Sequence, residues 1–190
     1  MATDKKNARQ RNAVIAFIDE SGAMMAPLLQ RTWAPRGRTP VFLQRGRHRA
    51  KVSIIATVTM RGIFRRPHLY FRLHPETNIR KSEVIAFLRQ VRRHAKRPMI
   101  VIWDRLKGHR SPEVVDYCRT HQIDLEFLPA YAPELNPVEY AWSYLKTKPL
   151  ANFAPRELCE LTDRTRSSAR AMQRRPRIIR SCMKQSPLFF

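Results

Sequence analysis

The sequence predicts a mixed α/β sheet with helices packed on it. Three observations carry this. Strand-like apolar runs crowd the first 73 residues with no helical period among them. After residue 78 the pattern alternates between helix and strand. Two of the apolar runs are too uniformly hydrophobic to be half-solvated strands, so both of their faces are covered.

Residues 1–12, "MATDKKNARQRN", read as a basic flexible tail. "AVIAFIDES" (13–21) is a buried strand that ends in carboxylates. "RTWAPRGRTP" (31–40) holds two prolines and a glycine and reads as a turn-rich connection. "KVSIIATVTM" (51–60) and "IFRRPHLYFRL" (63–73) are β-branched or aromatic runs around "RG", the pattern of an antiparallel hairpin. In "NIRKSEVIAFLRQVRRHAK" (78–96), Val84, Phe87, Leu88 and Val91 share one helical face, with basic residues opposite. "PMIVIWD" (98–104) is a second buried strand with an acid at its end. "SPEVVDYCRTHQ" (111–122) starts a helix, with Ser111 as N-cap and Pro112 in the first turn. "IDLEFLPA" (123–130) alternates as a short strand, and a helix begins near Pro137 with Asn136 as its cap. Residues 154–175 read as one or two helices, and the chain closes with a short helix and tail. The expected organisation is a tail (1–12), an α/β domain (13–150) and a basic C-terminal helical extension (151–190).

The chain has 190 residues, 43% of them hydrophobic, which excludes disorder throughout. Lys and Arg number 37 against 15 Asp and Glu, a net charge of +22. Such an excess points to a polyanion, nucleic acid first and an anionic membrane surface second. No apolar run approaches the ~18–20 residues of a spanning helix, and the N-terminus lacks a secretory signal's apolar stretch. A place inside the cell is expected, cytoplasmic and nucleoid-associated if the host is bacterial. The cysteines, Cys118, Cys159 and Cys182, are too widely spaced for a zinc knuckle or a disulfide framework and read as plain thiols.

Chemistry on an open α/β sheet gathers at strand ends and the loops beside them. Asp19 follows "VIAFI" and Asp104 follows "MIVIW". Glu20 alternates to the opposite face if the strand continues. Glu139 lies in the first turn of the helix after "NP", where an acid is ordinarily only dipole-stabilised. Three acids brought together repel one another, and a divalent cation resolves this. Two such ions ~3.5–4 Å apart would serve phosphoryl transfer.

The phrases "FIDESG", "RTWAPRGRTP", "VIWDRLKGHRS" and "LPAYAPELNPVEYAWSYLK" resemble the DDE catalytic domain of insertion-sequence transposases in the mariner-like superfamily. The last phrase is the most specific, and the 34 residues between Asp104 and Glu139 match the family's spacing. The resemblance covers roughly residues 13–147. It implies a ribonuclease-H-like fold, a five-stranded mixed sheet flanked by helices. It also implies a transposase catalytic subunit that cuts and joins double-stranded DNA at element ends and target. Asp19 would bridge two Mg²⁺ or Mn²⁺ ions, with Asp104 on one and Glu139 on the other. His109 stands in the family's usual place as an accessory residue, whereas Arg105 occupies a position where many relatives carry Asn. Relatives use a TA target and form dimers. Eighteen residues precede Asp19, where the family usually places a helix-turn-helix reader, so the expected readings are the second frame of a split element with that reader on a separate chain encoded upstream, a truncated copy, or a catalytic partner to another chain. The alternatives are an inactive or domesticated remnant that only binds DNA, and a nuclease acting on RNA–DNA hybrids.

The residues expected to meet DNA are Trp33, Arg36, Arg38, Arg45, Arg47, Arg49 and Lys51, with Arg170, Arg174 and Arg175 near the other end. Trp142 and Tyr140, at helical spacing, read as packing residues rather than base-stacking platforms.

Overall fold

The computed structural model describes residues 12–26, 28–41, 50–61 and 66–189. Residues 1–11 of the expected tail, Arg45, Arg47 and Arg49, and residues 63–65 of the second hairpin run lie outside these. Strand β1 (Val14–Met24) is the middle of a five-stranded sheet. On one side it pairs antiparallel with β2 (Lys51–Met60), which pairs antiparallel with β3 (His68–Pro75). On the other side β4 (Met99–Trp103) runs parallel to β1, and β5 (Ile123–Phe127) parallel to β4. The spatial order is β3-β2-β1-β4-β5.

Parallel neighbours cannot be joined by a tight turn, so each needs a crossover element. Helix α1 (Lys81–Ala95) links β3 to β4, and α2 (Pro112–Thr120) links β4 to β5. Both cover one face of the sheet. There Val84, Phe87, Leu88 and Val91 of α1 and Val114 and Cys118 of α2 pack on Val14, Ala16, Ile18, Val101 and Trp103. Helices α3 (Pro137–Thr147), α4 (Leu158–Gln173) and α5 (Pro176–Gln185) cover the other. Their Val138, Trp142, Leu145, Leu161, Met172 and Ile179 meet Ile15, Phe17, Ile100 and Ile102. This double cover is why "VIAFI" and "MIVIW" carry no polar residue on either face.

The helix ends follow local chemistry. The Glu83 carboxylate accepts the Arg80 N–H at 2.9 Å, satisfying a donor at the start of α1. Lys96, at φ 50°, closes α1 in the left-handed conformation, its N–H bonded to the Arg92 carbonyl. Ser111 is the N-cap of α2 as expected, although its hydroxyl makes no capping bond. Pro112 does take the first turn. One departure concerns β1. The sequence ends this strand at Ser21, whereas it runs to Met24 because β2 pairs with it as far as Met24 opposite Lys51. Among the described residues no helix is long and apolar enough to cross a membrane.

Candidate active site

The parallel register pairs Phe17 with Ile102, and the pairing of β1 with β4 stops there. Two places further on, Asp19 and Asp104 stand level where β1 outruns β4. Alternation keeps Asp19 on the side of Ile15 and Phe17, facing α3, and sends Glu20 to the side of α1 and α2.

Helix α3 is fastened to this strand by its cap. Buried Asn136 accepts the Val138 N–H on Oδ1 at 3.1 Å and donates from Nδ2 to the Ile18 carbonyl at 3.0 Å. One side chain therefore starts the helix and ties it to the residue before Asp19. A second tie comes from Trp142, whose indole N–H donates to Asp19 Oδ2 at 2.7 Å. Glu139 precedes Trp142 by three residues and shares its helix face. The Trp142–Asp19 bond thus brings the Glu139 carboxylate toward Asp19.

The electrostatics record this crowding. Burial, then the negative charge of Glu139, and more weakly that of Asp104, push the Asp19 carboxyl up to about 7. The Trp142 N–H and the Glu20 backbone N–H work against the shift without cancelling it. Asp104 moves the other way. Burial opposes its ionisation, but hydrogen bonds from His109 and the Leu106 N–H outweigh burial and hold it below the ordinary carboxylate value. Both bonds fall on Asp104 Oδ1, at 2.7 and 3.1 Å, leaving Oδ2 without a hydrogen bond from the described residues.

His109 is the organising residue on the far side of the sheet edge. A short 3-10 turn (Lys107–Arg110) delivers it, and its ring lies flat on Trp103, centroids 4.2 Å apart and planes 6° from parallel. Its Nδ1 faces Asp104 Oδ1 at 2.7 Å and its Nε2 faces Glu20 Oε1 at 3.2 Å. Burial disfavours the charged ring, but the two carboxylates prevail and raise it to about 9. At neutral pH the ring is an imidazolium donating at both nitrogens. Sequence reasoning sets Glu20 aside because it faces away from Asp19. That parity is what carries it to His109, a contact no sequence spacing signals.

The donor set fits a divalent cation: a carboxylate made hard to ionise by burial and then by two like charges, with Oδ2 of Asp104 outside the bonds to His109 and Leu106. The three acids are not closed into a cage, however. Among the described residues no three His, Cys, Asp or Glu side chains form a ready ligand cluster. Arg105 is exposed beside Asp104.

Of the expected DNA-contacting residues, Arg45, Arg47 and Arg49 lie outside the described residues. Trp33 is wholly exposed, with Arg36 and Arg38 near it around a turn in which Gly37 takes φ 80°. Asn152 holds the root of this segment through Leu28 and Gln30. Lys51 opens β2, opposite Met24. Arg170, Arg174 and Arg175 are exposed at the end of α4. Trp142 is buried as expected for packing, and it also bonds to Asp19; Tyr140 donates to the Glu134 carbonyl.

The five-stranded mixed sheet with helices on both faces is a ribonuclease-H-like fold. The sequence profile of the DDE superfamily endonucleases matches residues 14–161, and the chain belongs to that family. Solved structures agree in fold. The mariner Mos1 paired end complex with Mg superimposes with a TM-score of 0.63 at 17% identity, over 90% of this chain and 52% of that one. The Mos1 strand transfer complex gives 0.59 at 18% identity, over 97% and 57%. The catalytic domain of Mos1 mariner transposase gives 0.52 at 14%, over 97% and 87%. The chain thus spans about half the length of the Mos1 chains in the first two of these complexes. A comparison with curated proteins returns no match.

Proposed function

We propose that this chain is the catalytic part of a DDE transposase, a metal-dependent enzyme that cleaves DNA strands and joins them to a target. The observation that carries the reading is Asp19 at the end of a central strand, bonded to Trp142 of α3, with its carboxyl raised to about 7 by burial and then by the charges of Glu139 and Asp104. Setting the charges of Glu139 and Asp104 to act on a buried Asp19, in a chain with net charge +22, has a use if a cation and a phosphate backbone meet there. Family membership and the Mos1 complexes with Mg and with Mn support the same reading.

Asp19, Asp104 and Glu139 would hold two Mg²⁺ or Mn²⁺ ions. Bound there, the ions would activate the attacking oxygen and stabilise the leaving one. The protein's own part is positioning. Trp142 fixes one Asp19 oxygen, and His109, itself held by Glu20 and Trp103, fixes Asp104 through Oδ1 and leaves Oδ2 for a ligand. In cleavage, water adds to phosphorus and the P–O3′ bond breaks, leaving a 3′-hydroxyl and a 5′-phosphate. In joining, that 3′-hydroxyl takes the place of water on target DNA. A homodimer would pair the two element ends.

Asp104→Ala is expected to abolish Mg²⁺-dependent nicking of duplex DNA while DNA affinity survives. Nicking at the wild-type rate by that variant would overturn the triad. The competing reading is a DNA-binding remnant without cleavage, favoured by Arg105 at the Asn position and by the open arrangement of the acids. Absence of nicking with Mn²⁺ as well as Mg²⁺ by the wild-type chain selects it.

A further inference from the structure

At the end of the sheet opposite the acids lies a cavity of about 530 Å³, formed where β1 begins, β2 ends, β3 begins and α1 ends. Three arginines line it, Arg61, Arg66 and Arg97, together with His68, Tyr70 and His94; the Arg61 guanidinium donates to Asn12 Oδ1 at 3.2 and 3.1 Å. Among the described residues no carboxylate lines it. The rings form a continuous wall: His68 stacks on Tyr70 with centroids 6.4 Å apart, and Tyr70 meets His94 at 5.2 Å. Burial and the Arg66 charge hold His68 below the ordinary imidazole value, so the cavity already resists further positive charge.

Basic residues after a helix are often there only to complement its dipole. Here that work is done by Arg92, whose guanidinium donates to the carbonyls of His121 and Arg97 at 2.6 and 3.2 Å. The second of these bonds fixes the backbone of Arg97. The Arg97 and Arg66 side chains pair with no carboxylate among the described residues. The positive surface also continues around the sheet edge. Gln173 donates to the Leu69 carbonyl at 2.7 Å, which sets the end of α4, with exposed Arg170, Arg174 and Arg175, beside the start of β3.

We propose that this cavity seats a backbone phosphate of bound nucleic acid away from the acids. Planar guanidinium forks suit phosphate oxygens, and the aromatic wall gives a sugar or base edge an apolar side to lie on. The position rules out the scissile phosphate itself. Val14 lines the cavity, Asp19 is five residues along the same strand, and at ~3.3–3.4 Å per residue the two lie roughly 17 Å apart. The inference shares with the proposed function only a nucleic-acid partner.

The test is duplex binding without metal ion, followed by fluorescence anisotropy across a range of salt concentrations. It therefore reads the cavity whether or not the chain ever nicks DNA. The Arg66→Ala/Arg97→Ala double variant should lower the slope of log affinity against log salt by about 0.9 for each phosphate it ceases to neutralise. A matched Arg119→Ala/Arg166→Ala variant removes the same net charge from two exposed ion pairs and should keep the wild-type slope. Arg66→Lys/Arg97→Lys should keep most of it too, which separates removal of the cations from damage to the fold. An unchanged slope in the alanine variant, or an equal fall in the matched control, overturns the proposal. So does loss of binding to phosphatidylserine vesicles with duplex binding intact, which would assign the cavity to a membrane surface.

Discussion

The residues at the sheet edge are coupled by charge, and their titrations have definite signs. Asp19 has a folded value of about 7 against 3.8 for a free aspartate. Its ionised form is disfavoured in the fold, so the folded chain binds the extra proton between those values. Stability therefore falls as pH rises from about 4 to 7. His109 is raised from 6.5 to about 9, so its contribution is complete below 6.5 and is lost as pH climbs through 9. Asp104 is depressed, so its contribution is present above its unfolded value and fades as pH falls below it. Without divalent cations the chain should be most stable in mild acid and melt progressively lower toward pH 9. Asp19→Asn keeps an oxygen for the Trp142 N–H but carries no charge. It should be more stable than wild type at pH 8, by on the order of a few kcal/mol, with the gap closing near pH 4. Melting curves across pH check this, and a gap independent of pH would show that the crowding of acids is not its source.

At the scale of elements, the Asn136 cap joins sequence to site. Its side chain starts α3 and holds that helix to the Ile18 carbonyl, and both bonds are buried. Asn136→Ala leaves the Val138 N–H and the Ile18 carbonyl without these bonds, and removing a cap alone costs about 0.5–2 kcal/mol. The expectation is a loss of roughly 2–3 kcal/mol, measured by urea denaturation. Activity should fall further than stability accounts for, because Glu139 loses its fixed distance from Asp19. Much of this element is legible in the sequence. "LNPVE" announces a capped helix start, and the spacing of Val84, Phe87, Leu88 and Val91 gives α1 its buried face. The full reach of β1 is not legible, because Ser21-Gly22-Ala23 has no apolar alternation and is held as strand by β2. The Glu20–His109–Asp104 network is hidden as well. It joins residues 89 positions apart, and only the sheet register brings them together. Trp142 reads as a core aromatic, but its bond to Asp19 spans 123 positions and depends on how α3 crosses the strand.

The whole molecule carries net charge +22 around an edge of crowded acids, so two opposite electrostatic demands coexist on one sheet. The basic surface favours a polyanion and the acids favour a small cation, and each bound partner offsets the other's charge nearby. A cation that binds the folded chain and not the unfolded one stabilises it by mass action, by about 2.7 kcal/mol at a concentration 100 times its dissociation constant. For a chain of this length that corresponds to roughly 5–10 °C in melting temperature, at about 2–4 °C per kcal/mol. Mn²⁺ or Mg²⁺ should produce such a rise in the wild-type chain, and Asp104→Ala or Glu139→Gln should remove it. The rise should be greater at pH 8 than at pH 6, because the Asp19 proton must leave before the carboxylate can act as ligand. Differential scanning calorimetry in the presence and absence of each ion measures all of these together. A wild-type melting temperature indifferent to millimolar Mn²⁺ at pH 8 would leave the acids as a repulsive edge with no ligand, and the chain as a DNA-binding member of an endonuclease family.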